Sequence, residues 1–200
     1  MKVVLASRSP QRQALLEGLG VEFEVAKPRI QEMEEGDPRE LVLENARWKA
    51  ASISPIEPPG TLVIAGDTEV ALDGRTLGQA EDEPEARRHL ESLSGREHEV
   101  LGALALMGPG TDENERPETR EGVVVSTVRF GDLSPALIDA YLASGEWRGR
   151  AGSYAIQGLG SALVEEVRGD VSNVIGLPVG LLLELAPELA PERDPPFQSA

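Results

Sequence analysis

Apolar residues Val3, Val4, Leu5 and Ala6 form an unbroken run that Ser7, Arg8 and Ser9 interrupt. Beyond Pro10 the spacing changes, and Ala14, Leu15, Leu16 and Leu19 recur at helical intervals. The pattern predicts a strand over 2–6, a polar turn, and a helix that Gly20 ends. Ser9 suits the N-cap, and Pro10 suits the first helical position, where its missing N–H costs nothing. Residues 21–26 alternate apolar and acidic, as in a strand, and 27–38 read as a charged connection. Asp37 then caps a helix that starts at Pro38 and runs to about Ser52 through Leu41, Val42, Ala46 and Ala50. Residues 61–65 are apolar on both alternating faces, the mark of a buried strand. That strand is expected to end in a polar turn at Gly66-Asp67-Thr68, with 69–72 extended and Asp73-Gly74 a hairpin turn.

The second half continues the alternation. A helix opens at Glu83-Pro84, a strand covers 99–107, and a charged loop rich in proline and glycine covers 108–122. A strand over 123–130 leads to a helix that opens at Ser134-Pro135 and stops at Gly145. Residues 154–157 read as extended, 158–160 as a turn and 163–167 as a strand. A last apolar helix spans 174–185, entered through Gly176 and Pro178. Residues 187–200 lack periodicity and read as a flexible tail. Helices and strands alternate, with hairpin-like pairs mixed in. The predicted class is α/β, a mixed twisted sheet flanked by helices, in one domain or one bilobed domain over 1–186.

Composition narrows the functions open to such a domain. With 200 residues and 40% hydrophobic content, the chain can bury a proper core. It has no cysteine, which excludes disulfides and thiol chemistry. The first apolar run is too short for a signal peptide, and no stretch is long and apolar enough to span a membrane. A cytoplasmic protein is the expectation. A net charge of −16 argues against a general surface for nucleic acid or anionic lipid. A polyanionic ligand would need a local group of cations or a metal.

Local features offer one. A strand feeding a polar turn into a helix N-terminus presents free N–H groups and the positive end of the dipole. Here Arg8 and Arg12 crowd that end, so the turn reads as a phosphate cradle or as a capped turn with surface arginines. Asp67, at the carboxyl end of a strand, could hold a divalent cation or accept a proton from water; it could also simply end the strand. Glu32 could supply a second carboxylate. Lys49 could reach phosphate oxygens or snorkel at a helix edge. Gln157, beside two glycines, could face a base edge or serve a turn. His89 and His98 read as surface or helix-end residues, and two histidines without cysteine make zinc a poor fit. No Gly-x-Ser-x-Gly elbow, P-loop or Rossmann fingerprint is present.

Six blocks, taken in order, resemble the Maf family of septum-formation-protein homologues. They are Leu5-Ala-Ser-Arg-Ser-Pro-Gln-Arg12, Gly66-Asp67-Thr68, Leu93-Ser-Gly95, Tyr141-Leu-Ala-Ser-Gly-Glu146, Ala151 through Gly160, and Ser172 through Pro178. The resemblance covers Val3 to about Leu185. It implies the fold shared with inosine triphosphate pyrophosphatases, two lobes around a cleft. It also implies cleavage of a nucleoside triphosphate to the monophosphate and pyrophosphate with Mg²⁺ or Mn²⁺, and a homodimer. On the matching positions, Asp67 is the implied proton acceptor, and Ser7, Arg12 and Lys49 the implied substrate contacts. Glu32 and Asp67 are the implied metal carboxylates, and Gln11, Thr68 and Gln157 occupy specificity positions. The Asp-Thr and Ile-Gln-Gly pairing is similar to the branch acting on dTTP and UTP or related, modified pyrimidine nucleotides. Three positions depart from the pattern. Gln11 and Gln79 stand where the family has a cation, and Arg150 stands where it has lysine. Slower catalysis or a shifted substrate range is expected from these. A nucleotide-binding homologue with weak or altered activity is the alternative.

Overall fold

The computed structural model describes residues 1–108 and 118–191. Most of the charged loop and residues 192–200 lie outside the described residues. Seven strands form one mixed sheet in the order β2-β1-β3-β5-β6-β7, with β4 paired to β3. β1 (Lys2–Ala6) lies between β2 (Glu24–Ala26) and β3 (Thr61–Leu72), parallel to both. β5 (Glu97–Met107), β6 (Thr119–Phe130) and β7 (Val164–Arg168) extend the sheet antiparallel, and β4 (Arg75–Thr76) closes a hairpin on β3. Parallel neighbours need crossover helices. Two supply them: α1 (Pro10–Gly18) and α2 (Pro38–Ile53).

The helices form where their caps are. Ser9 and Asp37 each sit in extended backbone and accept N–H groups of the first turn through their side chains, with proline next in line. The buried face of α2 carries Leu41, Val42, Ala46, Ala50 and Ile53 onto Val63, Ala65 and Ala103 of the sheet. The opposite face of the same sheet packs Leu5, Ile64 and Leu104 against Leu16 and Leu182. A third cluster lies at the far end of the long strands. It joins Val70 and Val100 to α3 (Glu83–Leu93) and α4 (Pro135–Ser144) through Leu90, Leu93 and Tyr141. These packing centres give two lobes, with β3, β5 and β6 running through both.

Several expected boundaries move. β3 does not end at Gly66-Asp67-Thr68 but continues as one strand of 12 residues. Its ladder with β5 pairs Gly66 with Leu104 and Asp67 with Ala103, and this holds poor strand formers extended. β6 begins at Thr119, inside the predicted loop, because Thr119 through Gly122 pair with Leu104 through Met107. The predicted final helix is two: α5 (Val171–Ile175) and α6 (Val179–Leu185). Gly176 at φ +134° ends the first, and Pro178 bars a helical approach to the second. Ordered packing also passes 186, since Pro187–Leu189 form a 3₁₀ turn that buries Leu189. Only three residues of the stretch 21–26 form strand.

His98 is not at the surface. It is 3% exposed on β5, with edge-on contacts to Phe130 and Tyr154. Its Nε2 lies 2.8 Å from Tyr154 Oη, and its Nδ1 has no partner. Burial pushes its pKa down to about 4, because the charged ring would lose its water and its Nδ1–H would have no acceptor. The unfolded chain protonates near 6.5, so the folded state favours the neutral ring. This contribution is complete above about pH 6.5 and is lost as pH falls toward 4, up to about 3 kcal/mol. Denaturant midpoints measured from pH 7 to 4.5 should fall more steeply for the natural protein than for His98→Leu. Parallel slopes would refute this.

Candidate active site

β1 stops at Ala6, but its neighbour β3 runs on, because the parallel pairing ends with Leu5 opposite Ile64. A crevice opens there, with α1 packed on one face of the sheet and α2 on the other. In open α/β sheets this is where ligands bind. Asp67 and Thr68 stand on β3 just past the end of the β1 ladder. Ser7 and Ser9 stand in the turn that leaves β1, and Arg12 in the first turn of α1. Asp67 is thus beyond the carboxyl end of a strand, as expected, but the strand is β1 and not its own.

The turn is tied together before any ligand arrives. Ser9 Oγ accepts the Arg12 N–H at 3.4 Å and donates to Gln11 Oε1 at 3.1 Å. Ser7 Oγ accepts the Ser9 N–H at 3.1 Å and Arg12 Nη1 at 3.3 Å. Arg12 turns inward. Its Nε donates to the Gly176 carbonyl at 2.9 Å and its Nη2 to Thr68 Oγ1 at 3.1 Å. The break between α5 and α6 is what leaves that carbonyl free. Gly66 makes room, since a Cβ there would lie 3.0 Å from the Ala103 carbonyl and 3.6 Å from Arg12 Nε. Burial lowers the Arg12 pKa while Asp67 and Glu32 raise it, and a guanidinium stays charged throughout.

On the other face of β3, α2 delivers Lys49 and Asn45 to Asp67. Lys49 Nζ donates to Asp67 Oδ1 at 2.6 Å and to Glu32 Oε2 at 2.7 Å. Asn45 Nδ2 donates to Asp67 Oδ2 at 3.2 Å. Each Asp67 oxygen therefore accepts one hydrogen bond and keeps further lone-pair capacity. Glu69 follows two residues along and so shares the face of Asp67. Its Oε2 is buried without a partner. Burial and the charge of Asp67 push its carboxyl up to about 8, so it is mostly protonated at neutral pH.

The second lobe supplies the far wall. Tyr141 Oη accepts the Ala155 N–H at 3.0 Å, and Glu146 accepts those of Leu159 and Gly160 at 3.0 and 3.1 Å. These bonds fix the turn that presents Gln157. Gly160 is required there, because a Cβ would meet the Ala155 carbonyl at 1.9 Å. Gln79 pairs with Ala151 in an isolated bridge, which places the neighbouring Arg150 beside the position where a cation was missing.

The turn after β1, the Asp67 cluster and the segment presenting Gln157 line one cavity of about 480 Å³, with Asn45, Tyr141 and Glu146 behind its wall. Ser7, Gln11, Arg12 and Thr68 line it, and so do Glu32, Lys49, Asp67 and Gln157. Every residue singled out from the sequence is in this lining. Asn45 and Glu69 were missed. Asn45 precedes Lys49 by four residues on α2, and Glu69 follows Asp67 by two on β3. Those spacings were the available signal, since each shares a face with a candidate residue.

The donor set suits a hard divalent cation. Glu32 and Asp67 meet at Lys49 and offer two carboxylates. Among the described residues, no three such side chains are close enough to hold a metal by themselves. Magnesium is commonly held by one or two carboxylates with substrate phosphates and water completing its shell, so the residues fit.

A family model described as Maf-like protein matches residues 2–189. The chain belongs to this family. It is 44% identical over 180 residues to a dTTP/UTP pyrophosphatase of Anaeromyxobacter dehalogenans, covering 89% of each chain. Against the dTTP/UTP pyrophosphatase of Clostridioides difficile it is 40% identical, covering 90% of each. For the Pyrococcus furiosus protein of that name the identity is 37%, covering 89% of this chain and 90% of the relative. Among solved structures, the Staphylococcus aureus Ham1 protein aligns with 64% of this chain and 72% of its own, at 20% identity and a TM-score of 0.40.

Proposed function

We propose that the protein hydrolyses a pyrimidine nucleoside triphosphate, dTTP or UTP, to the monophosphate and pyrophosphate. The observation that carries this reading is the placement of Asp67. It sits in the floor of a cavity, bracketed by an ammonium and an amide, with a cationic turn on the same crevice. Hydrolysis forms a bond from water oxygen to the α phosphorus and breaks the bridging P–O bond toward the β phosphorus. The proton of the attacking water goes to Asp67, and pyrophosphate leaves. Such reactions depend on orienting the water and neutralising charge rather than on a covalent nucleophile.

In the first turn of α1, Pro10 has no N–H and Ser9 takes those of Arg12 and Gln13, so the Gln11 N–H and the positive dipole end are what the helix offers to phosphate oxygens, with Ser7 and the cations Lys49 and Arg150 around them. Arg12 positions Ser7 and Thr68 as well as adding charge, since its own donors already join three elements. Glu32 and Asp67 would hold Mg²⁺ or Mn²⁺, which supplies charge neutralisation and a more acidic water when bound. Gln157 and Thr68 sit where the base and sugar would be read. Gln157 has both a donor and an acceptor, which matches the alternating edge of thymine or uracil. The cytoplasm is the setting that suits this substrate. Among the described residues, no helix is long and apolar enough to cross a membrane.

The test is product identity. Purified protein with Mg²⁺ or Mn²⁺ should release pyrophosphate and monophosphate from dTTP and UTP, and little from the purine triphosphates. Orthophosphate as the first product would reject the reading, as would no turnover across the panel. Gln79, which lines the cavity where a cation would serve polyphosphate, favours one second reading, a binding protein with weak activity. Tight binding of α,β-methylene-UTP without turnover of UTP would establish it.

A further inference from the structure

We infer that Asn45 is the positioning residue that ties Asp67 and Glu32 into one cation-holding unit. The inference rests on the metal-assisted reading proposed above. Asn45 is 1% exposed, and its amide is fully committed. Its Oδ1 accepts the Met33 N–H at 2.8 Å, and its Nδ2 donates to the Met33 carbonyl at 3.0 Å. Those two bonds mimic the pairing that a neighbouring strand would offer. The remaining Nδ2 proton goes to Asp67 Oδ2 at 3.2 Å.

The consequence falls on Glu32, which adjoins Met33. Residues 27–36 form no helix or strand. Among the described residues, their backbone is held only by the Asn45 pair and by a 3.4 Å bond from Arg8 to the Pro28 carbonyl. The Glu32 side chain is 49% exposed, and Lys49 is its one ion-pair partner among those residues. Asn45 therefore sets where the Glu32 backbone lies, and Lys49 sets where its carboxylate points. Both residues also grip Asp67, one oxygen each. The i, i+4 spacing on a packed helix makes this a rigid bracket. An apolar residue of the same size would leave the Met33 N–H and carbonyl without partners and free the loop.

The experiment measures Mn²⁺ binding rather than turnover. Electron paramagnetic resonance follows free Mn²⁺ titrated into protein saturated with α,β-methylene-UTP. The variants are Asn45→Leu, Asn45→Ala, Glu32→Gln and the double variant Glu32→Gln with Asn45→Leu. Partners that orient metal ligands are worth roughly 10–100-fold in affinity or activity. Asn45→Leu and Asn45→Ala should each weaken Mn²⁺ binding about 10-fold or more. In the Glu32→Gln background, Asn45→Leu should cost markedly less, because part of its effect passes through Glu32. Folded Asn45 variants that bind Mn²⁺ as tightly as the natural protein would overturn the inference. So would failure of both single variants to fold, which would make the residue structural. Natural protein that binds Mn²⁺ without releasing pyrophosphate from UTP would reject the proposed reaction alone. Natural protein that binds no Mn²⁺ would reject both.

Discussion

Asp67→Asn should abolish pyrophosphate release from dTTP and UTP, with kcat falling about 10³-fold. A positioned general base contributes roughly 10²–10⁴-fold, and Asp67 is also one of two carboxylates offered to the cation. The replacement is close to isosteric, so the strand and its ladder with β5 should persist. An asparagine oxygen can still accept from Lys49, but its amide would then face the Asn45 amide, donor against donor. Some stability is lost there and with the Lys49 ion pair, and some is regained because the Glu32 carboxylate no longer faces a second charge across Lys49. Circular dichroism and a thermal scan separate folding from chemistry. Binding of α,β-methylene-UTP should survive better than turnover, since in the proposed reaction the turn after β1 and α1 hold the triphosphate. A variant that keeps more than a tenth of its turnover would rule Asp67 out as the proton acceptor.

Lys49→Met should produce the second largest effect, and on two readouts together. Its ammonium is nearly buried and carries two ion pairs, to Asp67 at 2.6 Å and to Glu32 at 2.7 Å. Removing one partner of a buried pair costs about 3–5 kcal/mol, because the other charge is left uncompensated. Here Glu32 is half exposed and water relieves it, so the lower end of that range applies. Turnover should fall by roughly two orders of magnitude, the scale of losing one electrostatic contact to the transition state. A divalent cation can replace part of the missing charge. Raising Mg²⁺ should therefore recover more melting temperature in Lys49→Met than in the natural protein. Lys49→Arg keeps the charge but not the compact tetrahedral donor, and should rescue stability better than rate. Equal melting temperatures and near-natural turnover in Lys49→Met would contradict this account.

These predictions rest on residues of different legibility. Ser7, Arg12 and Asp67 stand in motifs that can be read in order along the chain. Lys49 is one charge in an apolar helix, and its value depends on what faces it. Glu32 lies in a charged connection that reads as solvent-exposed, and half of its side chain is. Gln79 reads as a lost cation. The bridge to Ala151 places Gln79 at the same cavity as Arg150, which stands at a second altered cation position.

Local chemistry was written plainly in the chain. A cap such as Ser9 or Asp37 acts over three residues, and proline acts on its own backbone, so the starts of α1 and α2 needed no distant partner. The Asp73-Gly74 turn is equally local, with both residues at positive φ. Alternation of apolar runs with amphipathic ones was enough for a mixed α/β sheet. The rest depended on partners far away in sequence. Gly66, Asp67 and Thr68 read as a turn by composition, yet they are strand because residues 102–104 of β5 pair with them. Arg12 reads as a cation at a phosphate or at the surface, yet it is buried because the α5–α6 break offers it a carbonyl 164 residues away. His98 is buried because Phe130 and Tyr154 close over it. Asn45 gains its meaning from Met33 and Asp67 together. Capping and turn preferences decay within a few residues. Strand length, burial and the second partner of a polar group are set only when the sheet register brings separate segments side by side.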